Sequence, residues 1–439
     1  AEGVADTTWQ PDSARHGIAL DEVAQRVASD GAGGSYVAWV DYRTVFGDIY
    51  LQRINANGEI FDGWLYGGLA VCRAELSQYN VALAPDGSGG VFAVWQDFRS
   101  GQSADLYLHP ITSSGALAEG WPEDGLLIVE SDADQLQPSI AADGDGGVVV
   151  AWQDRRDGGL RVYALCVDET GSPLSGWSLS GVPIEDTSGT SSAPTVISSA
   201  IGSVLIAWRS GDDLGIDRIL ARRLGARAPP DTLTSPTVLA ASTSGERLSE
   251  PSVVADSAGF IVSWTERGPS SASVNLHRLG AEGALVPQWT QPAAATSVGA
   301  GFFAPSLVSD GSGGAFVVWE DFRGEQGSNV YAQRITAAGQ HGWTENGVAV
   351  SAQATNAYAP VATADGDGGI VVTWLTSDSL SLGGLLSARR AGPGRSLRVR
   401  EARATPGKAR LAWQSFEPLA GALAIERRVL PSDWEALTD

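Results

Sequence analysis

Short apolar segments alternate with segments rich in glycine and aspartate along nearly the whole chain, and this alternation recurs at a fixed period. One copy runs Pro85-Asp-Gly-Ser-Gly-Gly, then Val91-Phe-Ala-Val-Trp-Gln-Asp, then Phe98-Arg99. Turns rich in glycine and aspartate between apolar runs are typical of tight hairpins, because several turn positions require positive φ. The alternation therefore predicts antiparallel strands. The copies end at seven tryptophans spaced 55 to 57 residues apart: Trp39, Trp95, Trp152, Trp208, Trp264, Trp319 and Trp374.

Each repeat contains four apolar segments of strand length. In the third repeat, Ser139–Ala142 leads into a turn, Val148–Asp154 returns, and Arg161–Val167 and Gly181–Ile184 follow. The second segment is apolar on both faces, so it must be covered on both sides. Four antiparallel strands packed between neighbouring units are typical of a β-propeller blade, and a solenoid is the alternative. We predict an all-β protein with a seven-bladed β-propeller of four-stranded blades over residues 22–395.

A second tryptophan series supports the same count and indicates how the ring closes. These tryptophans lie between the predicted third and fourth strands. The segment Gly17-Ile-Ala-Leu20 follows Trp9 much as Gly347-Val-Ala-Val350 follows Trp343, whereas the seventh repeat has no fourth strand of its own. We therefore predict that the N-terminal segment 1–21 supplies the closing outer strand of blade seven, which removes an open edge. The series comprises Trp64, Trp121, Trp177, Trp289 and Trp343.

The period stops at Ser396. Residues 396–439 contain three further strand-like segments and resemble the first half of a fibronectin-type sandwich, which normally needs about 100 residues. Truncation, proteolytic release and completion by another chain are open explanations. The third would allow self-assembly, because an unpaired strand edge accepts a strand from a partner.

The repeated motifs resemble those of a known class of proteins. Asp-Gly-x-Gly-Gly and Trp-x-Asp-x-Arg alternate in seven-bladed propellers of secreted bacterial proteins, and Pro85-Asp-Gly is similar to the blade motif of periplasmic TolB-type propellers. The resemblance implies a propeller with a C-terminal sandwich-like module for secretion or surface attachment. It does not imply an activity, because propellers include enzymes, lectins and scaffolds.

Composition narrows the classes of partner. The formal net charge of −22 argues against nucleic acid and against an anionic membrane surface. No apolar run approaches the roughly 20 residues of a membrane-spanning helix. The chain starts at Ala1 and contains no methionine, so we expect a removed signal peptide, a secreted or cell-surface location, and protein or glycan partners there. Cys72 and Cys166 are predicted to be two separate buried thiols.

The Trp-x-Asp-x-Arg motif offers the first candidate site residues. Its three named side chains are two residues apart and project from one face of a strand. They could form a ring of charged groups that binds a ligand. We favour a structural role, since bidentate Arg–carboxylate pairs order a strand end. The pairs are Asp41 with Arg43, Asp97 with Arg99, Asp154 with Arg156, and Asp321 with Arg323.

Metal and catalytic patterns are weak. Two Asp-Gly-Asp-Gly-Gly segments, at 143–147 and 365–369, are similar to calcium loops but lack the downstream acidic ligand. Hairpin chemistry explains them, so no cofactor is expected, with calcium as the alternative. The four histidines have no metal-ligand spacing, and no nucleophile elbow occurs. Two carboxylates from different blades could still perform glycosidic chemistry.

Specificity is expected where the repeats differ. We predict a secreted, non-catalytic propeller that acts as an extracellular binding or assembly module. A glycan-binding lectin or sialidase-like glycosidase is the alternative, which the propeller fold and aromatic residues expected to be exposed both motivate. The candidate ligand-binding residues are the aromatics Tyr42, Phe98 and Phe322, and the loop residues Arg209, Asp212, Asp213, Glu266 and Asp378.

Overall fold

A computed structural model describes most of the chain as β-structure. Every regular element among the described residues is a β-strand, and none of them is a helix that could cross a membrane. The described residues are 23–55, 59–129, 131–185, 189–199, 202–212, 214–225, 235–243, 245–269, 272–289, 291–297, 302–324, 327–351, 356–364, 368–376, 385–391, 397–405, 408–415, 425–429 and 433–437.

The chain divides into two compact units. The first, called here the N-terminal unit, comprises 5–241 and 281–284, and the C-terminal unit comprises 1–4, 242–280 and 285–439. The N-terminal unit contains four four-stranded antiparallel sheets, called sheets 1 to 4 in chain order. Their strands are β1 Val23–Ser29, β2 Ser35–Asp41, β3 Asp48–Ile54 and β4 Leu69–Cys72; β5 Gln78–Pro85, β6 Val91–Asp97, β7 Asp105–Ile111 and β8 Leu126–Val129; β9 Gln135–Ala142, β10 Val148–Asp154, β11 Arg161–Val167 and β12 Val182–Pro183; and β13 Thr190–Ser198, β14 Val204–Gly211, β15 Asp217–Leu224 and β16 Thr237–Ala241.

The C-terminal unit contains sheets 5 to 7 and a two-stranded sheet of β31 and β32. In sheet 5 the first strand is divided into two pieces, β17 and β18, which both pair with β19. The strands are β17 Arg247–Leu248, β18 Ser252–Asp256, β19 Gly259–Arg267, β20 Ala272–Gly280 and β21 Ala293–Thr296; β22 Phe302–Ser309, β23 Ala315–Asp321, β24 Asn329–Ile335 and β25 Val348–Ala349; β26 Ala357–Ala364, β27 Ile370–Thr376, β28 Leu385–Ala391, β29 Leu397–Thr405 and β30 Lys408–Ser415; and β31 Ile425–Val429 and β32 Asp433–Leu437.

Sequence order sets the packing within each unit. The first strands of successive sheets lie against one another, β1 on β5, β5 on β9 and β9 on β13 in the N-terminal unit, and β18 on β22 and β22 on β26 in the C-terminal unit. Strands β6 and β10 are buried along their whole length, which confirms that the second strand is covered on both faces. The seven period-setting tryptophans all lie in second strands, and the second tryptophan series lies between third and fourth strands, as expected.

A bulge interrupts the first strand of several sheets. Asn80, Gln137, Ala193 and Ala359 have φ of 49° to 50°, and the register of each strand shifts by one residue there. Positive φ is costly for residues other than glycine, and bulges re-aim side chains next to functional sites. The same conformation in four sheets makes it a property of the repeat.

Two expectations about the ends of the chain concern the edge of sheet 7. Residues 17–20, predicted as its outer strand, lie outside the described residues. At that edge β29 joins β28 through the pair Arg389 and Arg398, and β30 continues the same sheet. The described strands therefore do not separate 397–415 from sheet 7, and the half-sandwich stays a prediction.

Sheet 2 allows a test of how tightly a second-strand tryptophan is packed. Gly120 and Gly125 both have φ of +88°, but a Cβ on Gly120 meets no atom within 4 Å, whereas a Cβ on Gly125 would overlap the Trp95 ring. Both alanine variants should lose about 1 kcal/mol because of the left-handed conformation. We expect Gly125→Ala to lose about 1–3 kcal/mol more through overpacking. Equal losses for the two variants in urea unfolding would contradict this packing.

Candidate functional site

The Trp-x-Asp-x-Arg motif forms a buried hydrogen-bonded module in sheets 1, 2, 3 and 6. In sheet 2 the indole Nε1 of Trp95 donates to Asp97 Oδ2 at 2.9 Å, and Arg99 donates to the same carboxylate through Nε at 2.9 Å and through Nη2 at 2.6 Å. Asp97 is fully buried, and it also accepts a hydrogen bond from the backbone N–H of Arg99. The other three copies repeat this arrangement with indole distances of 2.8–2.9 Å.

A tyrosine and a glycine complete the module. Tyr107 stacks on Trp95, with ring centroids 6.3 Å apart, and the Arg99 guanidinium lies 3.8 Å above the Tyr107 ring. Arg99 also donates to the carbonyl of Asp124, directly before Gly125. Sequence reasoning missed the tyrosine, although it recurs 11 or 12 residues after the tryptophan. The tyrosines of the four modules are Tyr50, Tyr107, Tyr163 and Tyr331.

In sheet 1 the module lowers the pKa of Asp41, and the pKa of the neighbouring acid Asp48 shifts in the opposite direction. Burial alone would raise the pKa of Asp41, but hydrogen bonds from Arg43 and the Trp39 indole outweigh it and hold the pKa below its usual value. Asp48 pairs with Asp41 across β2 and β3 and is buried as well. Burial raises the pKa of Asp48, with the Asp41 charge adding to the effect and a hydrogen bond from Thr44 opposing it.

Sheet 4 lacks the aspartate of the motif, and a carboxylate that follows the last strand of sheet 3 accepts the indole hydrogen bond instead. Ser210 occupies the aspartate position, and the Trp208 indole donates instead to Glu185 at 3.1 Å. Glu185 is 2% exposed and also accepts from the Ser191 hydroxyl at 2.5 Å. In sheets 5 and 7 the indole nitrogens of Trp264 and Trp374 have no hydrogen-bond partner among the described residues.

Glu185 follows the fourth strand of sheet 3 and contacts the module position of sheet 4. In two other sheets, the residue at the end of the fourth strand likewise contacts the module of the next sheet. The Cys72 thiol lies 3.7 Å from Asp97 Oδ2 and 3.2 Å from the Arg99 guanidinium, and the Thr296 hydroxyl accepts from Arg323 at 3.1 Å. Burial raises the pKa of Cys72, so the thiol stays protonated. Cys72 and Cys166 are both free and buried, which confirms the prediction of two separate thiols.

Three aromatic side chains gather on the other face of the module in sheets 1 and 2. The Tyr79 ring lies 6.5 Å from Tyr42 and 5.9 Å from Phe98, measured between centroids. All three side chains are partly exposed. Burial and a hydrogen bond with Tyr79 raise the pKa of Tyr42 to about 12, so the Tyr42 phenol is neutral at pH 7. We call Tyr42, Tyr79 and Phe98 the aromatic cluster.

Four amide side chains continue this surface into sheet 3. Gln96 Oε1 accepts from Asn80 Nδ2 and, at 2.9 Å, from the backbone N–H of Gln137, and Gln137 Oε1 accepts from Gln153 Nε2. Gln96 and Gln153 are the variable residues of Trp-x-Asp, whereas Asn80 and Gln137 are the bulge residues of β5 and β9. We call Asn80, Gln96, Gln137 and Gln153 the amide ladder. In the sequence, the amide ladder could have been found only by comparing the variable position of Trp-x-Asp between the repeats.

The ladder adjoins the aromatic cluster and one ion pair. Tyr79 and Asn80 are consecutive, and Gln96 and Phe98 are two apart on the same strand end, so the two groups form one surface. Arg155 takes the place of Phe98 in sheet 3 and lies 3.5 Å from Asp134. Among the residues named here, this ion pair is therefore the charged part of the surface.

The loop residues predicted to confer specificity engage groups within their own sheets. Arg209 pairs with Asp217 at 2.9 Å and Asp212 pairs with Arg218 at 2.9 Å. Burial raises the pKa of Glu266, which accepts a 3.3 Å hydrogen bond from Asn275. Phe322 is partly exposed in the C-terminal unit. Asp213 and Asp378 lie outside the described residues.

The calcium-like segment 143–147 uses its first aspartate for the turn. Asp143 Oδ1 accepts from the N–H groups of Asp145 and Gly147 at 2.8 and 2.9 Å, and residues 365–367 of the second segment are not described. Among the described residues no group of three or more His, Cys, Asp or Glu side chains is arranged to hold a metal ion. Burial lowers the pKa of His109, whose ring is tilted against Trp121, and that of His277, whose ring stacks on Trp289.

Comparisons with known proteins identify similar solved structures. No protein-family model and no curated protein matches the chain. A polysaccharide lyase of family PL25, an ulvan lyase bound to -[GlcA(1-4)Rha3S]-, is 8% identical with a TM-score of 0.47, over 86% of this chain and 97% of that one. A protein of unknown function from Dyadobacter fermentans is 12% identical with a TM-score of 0.42, over 71% and 93%.

A Hadza microbial sialidase is 12% identical with a TM-score of 0.36, over 81% of this chain and 75% of that one. At these identities and TM-scores, the similarities do not bear on what this chain binds.

The opposed aspartates of sheet 1 predict opposite effects of charge removal. Asp41→Asn should lose about 1–3 kcal/mol at pH 7, because the variant removes charged hydrogen bonds. The lowered pKa means that this contribution is present above the unfolded pKa of about 3.9 and disappears as pH falls through the folded pKa. Urea unfolding at several pH values measures it.

Asp48→Asn is the matched control. Its raised pKa means that the contribution of Asp48 to stability is fully present below the unfolded pKa of about 3.9 and is lost as pH rises through the folded pKa, since the buried carboxylate must ionise. The variant should be as stable as wild type or more stable at pH 7, because Asn retains an acceptor for Thr44. A large loss for Asp48→Asn, or none for Asp41→Asn, would contradict these environments.

Because Glu185 replaces the missing aspartate of sheet 4, we expect an aspartate introduced at the usual position to compensate in part for the loss of Glu185. Glu185→Ala should lose about 1–3 kcal/mol, because the buried Trp208 indole N–H is left without an acceptor. Adding Ser210→Asp should restore a small part of that loss, because its carboxylate can accept from the indole as in the other modules, although sheet 4 has Asp212 where those modules have the arginine. Thermal unfolding of the single and double variants checks this. A double variant no more stable than Glu185→Ala would mean that the indole contact is not the stabilising interaction.

Proposed function

We propose that this chain is a glycan-binding, seven-bladed β-propeller that acts outside the cell. The observation that carries the proposal is the surface on which the aromatic cluster adjoins the amide ladder. Seven repeats, seven sheets with a second-strand tryptophan, and first strands packed against one another support the propeller. Export is the expectation drawn from the sequence, and it forms part of the proposal.

The chemistry of a sugar ring matches this surface. A pyranose presents C–H groups on one face and hydroxyls, which both donate and accept hydrogen bonds, around its edge. Partly exposed Tyr79 and Phe98 offer apolar area with little conformational entropy to lose, and amides supply donors and acceptors together. Binding sites usually combine apolar area with a few well-placed polar groups in this manner.

The groups of this surface favour binding over catalysis. General acid–base catalysis needs a group that titrates near the working pH. The four amides do not titrate, and Tyr42, at a pKa of about 12, keeps its proton. The adjoining acid, Asp134, is paired with Arg155. We therefore favour a lectin over a glycosidase.

Removing the aromatic cluster tests the proposal. Tyr79→Ala and Phe98→Ala should each weaken binding of a glycan identified on an array by about tenfold or more, or about 1.4 kcal/mol, through loss of apolar contact. Titration calorimetry with the purified chain measures the affinity.

Phe322→Ala is the control, because Phe322 occupies the same repeat position but lies in the other unit. It should bind as wild type does. An array without any bound glycan, or aromatic-cluster variants with wild-type affinity, would refute the proposed function.

A further inference from the structure

We infer that the amide ladder determines specificity and selects uncharged sugar rings through their hydroxyl groups. This inference rests on the proposed function, since it concerns the same surface. It assigns a distinct task to Asn80 and Gln137, which lie beside the aromatic cluster but outside it.

The bulge itself does not require these amides. Ala193 and Ala359 occupy the same bulge position in sheets 4 and 7 with the same φ of 49° to 50°. Asn tolerates the left-handed region because its side chain bonds locally, but Gln has no such advantage over Ala. The backbone conformation is thus common to the repeat, whereas the amide side chains are peculiar to sheets 2 and 3.

The ladder leaves hydrogen-bonding capacity unused. Gln96 is 97% buried, and its Oε1 accepts two hydrogen bonds, but its Nε2 has no partner among the described residues. Likewise, Asn80 Oδ1 and Gln137 Nε2 have no partner there, and Gln137 is exposed. Gln96 Nε2 is not among the buried side-chain atoms that lack a partner, so this N–H₂ group is open to solvent and to a hydroxyl of a ligand. The free groups include both donors and an acceptor, which matches hydroxyls.

Charge favours an uncharged ligand. The ladder is neutral, and the ion pair beside it, Arg155 with Asp134, balances its own charges. An anionic glycan would also approach a chain with a net charge of −22, which opposes its association. A hydroxyl-rich neutral glycan meets neither obstacle.

Alanine variants test the ladder without disturbing the bulge. Asn80→Ala and Gln137→Ala should keep the wild-type melting temperature within a few degrees, because Ala already occupies this position in sheets 4 and 7. Each should weaken binding of a neutral oligosaccharide about three- to tenfold, as expected for loss of one hydrogen bond. Calorimetry with neutral and uronate-containing oligosaccharides of equal length measures this, and wild type should prefer the neutral one.

Deoxy-sugars provide a second measurement that leaves the protein intact. A deoxy analogue that binds wild type more weakly should bind the matching alanine variant with no further loss, since the contact is already absent. If wild type binds glycans but the folded variants bind equally well, or if wild type prefers the uronate ligand, the ladder proposal is overturned and the proposed function survives. If wild type binds no glycan, both fall.

Discussion

The buried carboxylate of Trp-x-Asp-x-Arg is the interaction on which sheets 1, 2, 3 and 6 depend. An unpaired buried carboxylate would be very costly, and it is tolerated only because an indole N–H, a backbone N–H and a guanidinium satisfy it together. The guanidinium is in turn held over a tyrosine ring and bonded to the carbonyl before a glycine, as in Arg99 with Tyr107 and Asp124. One acid therefore joins the second strand, the third strand and the loop before the fourth.

The differences between sheets follow from how each one satisfies its tryptophan. Sheets 1, 2, 3 and 6 use their own aspartate, and sheet 4 uses Glu185 of sheet 3. The buried indole N–H groups of Trp264 and Trp374 have no hydrogen-bond partner among the described residues. Because the module occupies one face of the strand end, the other face is free to vary. That face carries Tyr42, Phe98, Gln96 and Gln153.

Much of this fold could be predicted from the sequence. The alternation of apolar runs and Gly-Asp turns predicted the strands, and both tryptophan series fell where expected, because the period of a repeat survives local changes. The role of Glu185 could not be predicted, since its partner Trp208 lies 23 residues away in the next sheet. The amide ladder was missed for a similar reason. A bulge re-aims Asn80 and Gln137 in a way that simple alternation along a strand does not anticipate. The charged loop residues Arg209 and Asp212 were predicted to bind a ligand because their repeat differs from the others. Both form ion pairs within their own sheet.

The central claim is that the aromatic cluster and the amide ladder form one glycan-binding surface. A crystal structure of the chain with a bound neutral oligosaccharide tests it most directly. We expect a sugar ring stacked on Tyr79 or Phe98, with a hydroxyl within hydrogen-bonding distance of Gln96 Nε2. A sugar bound elsewhere, with this surface unoccupied, would contradict it.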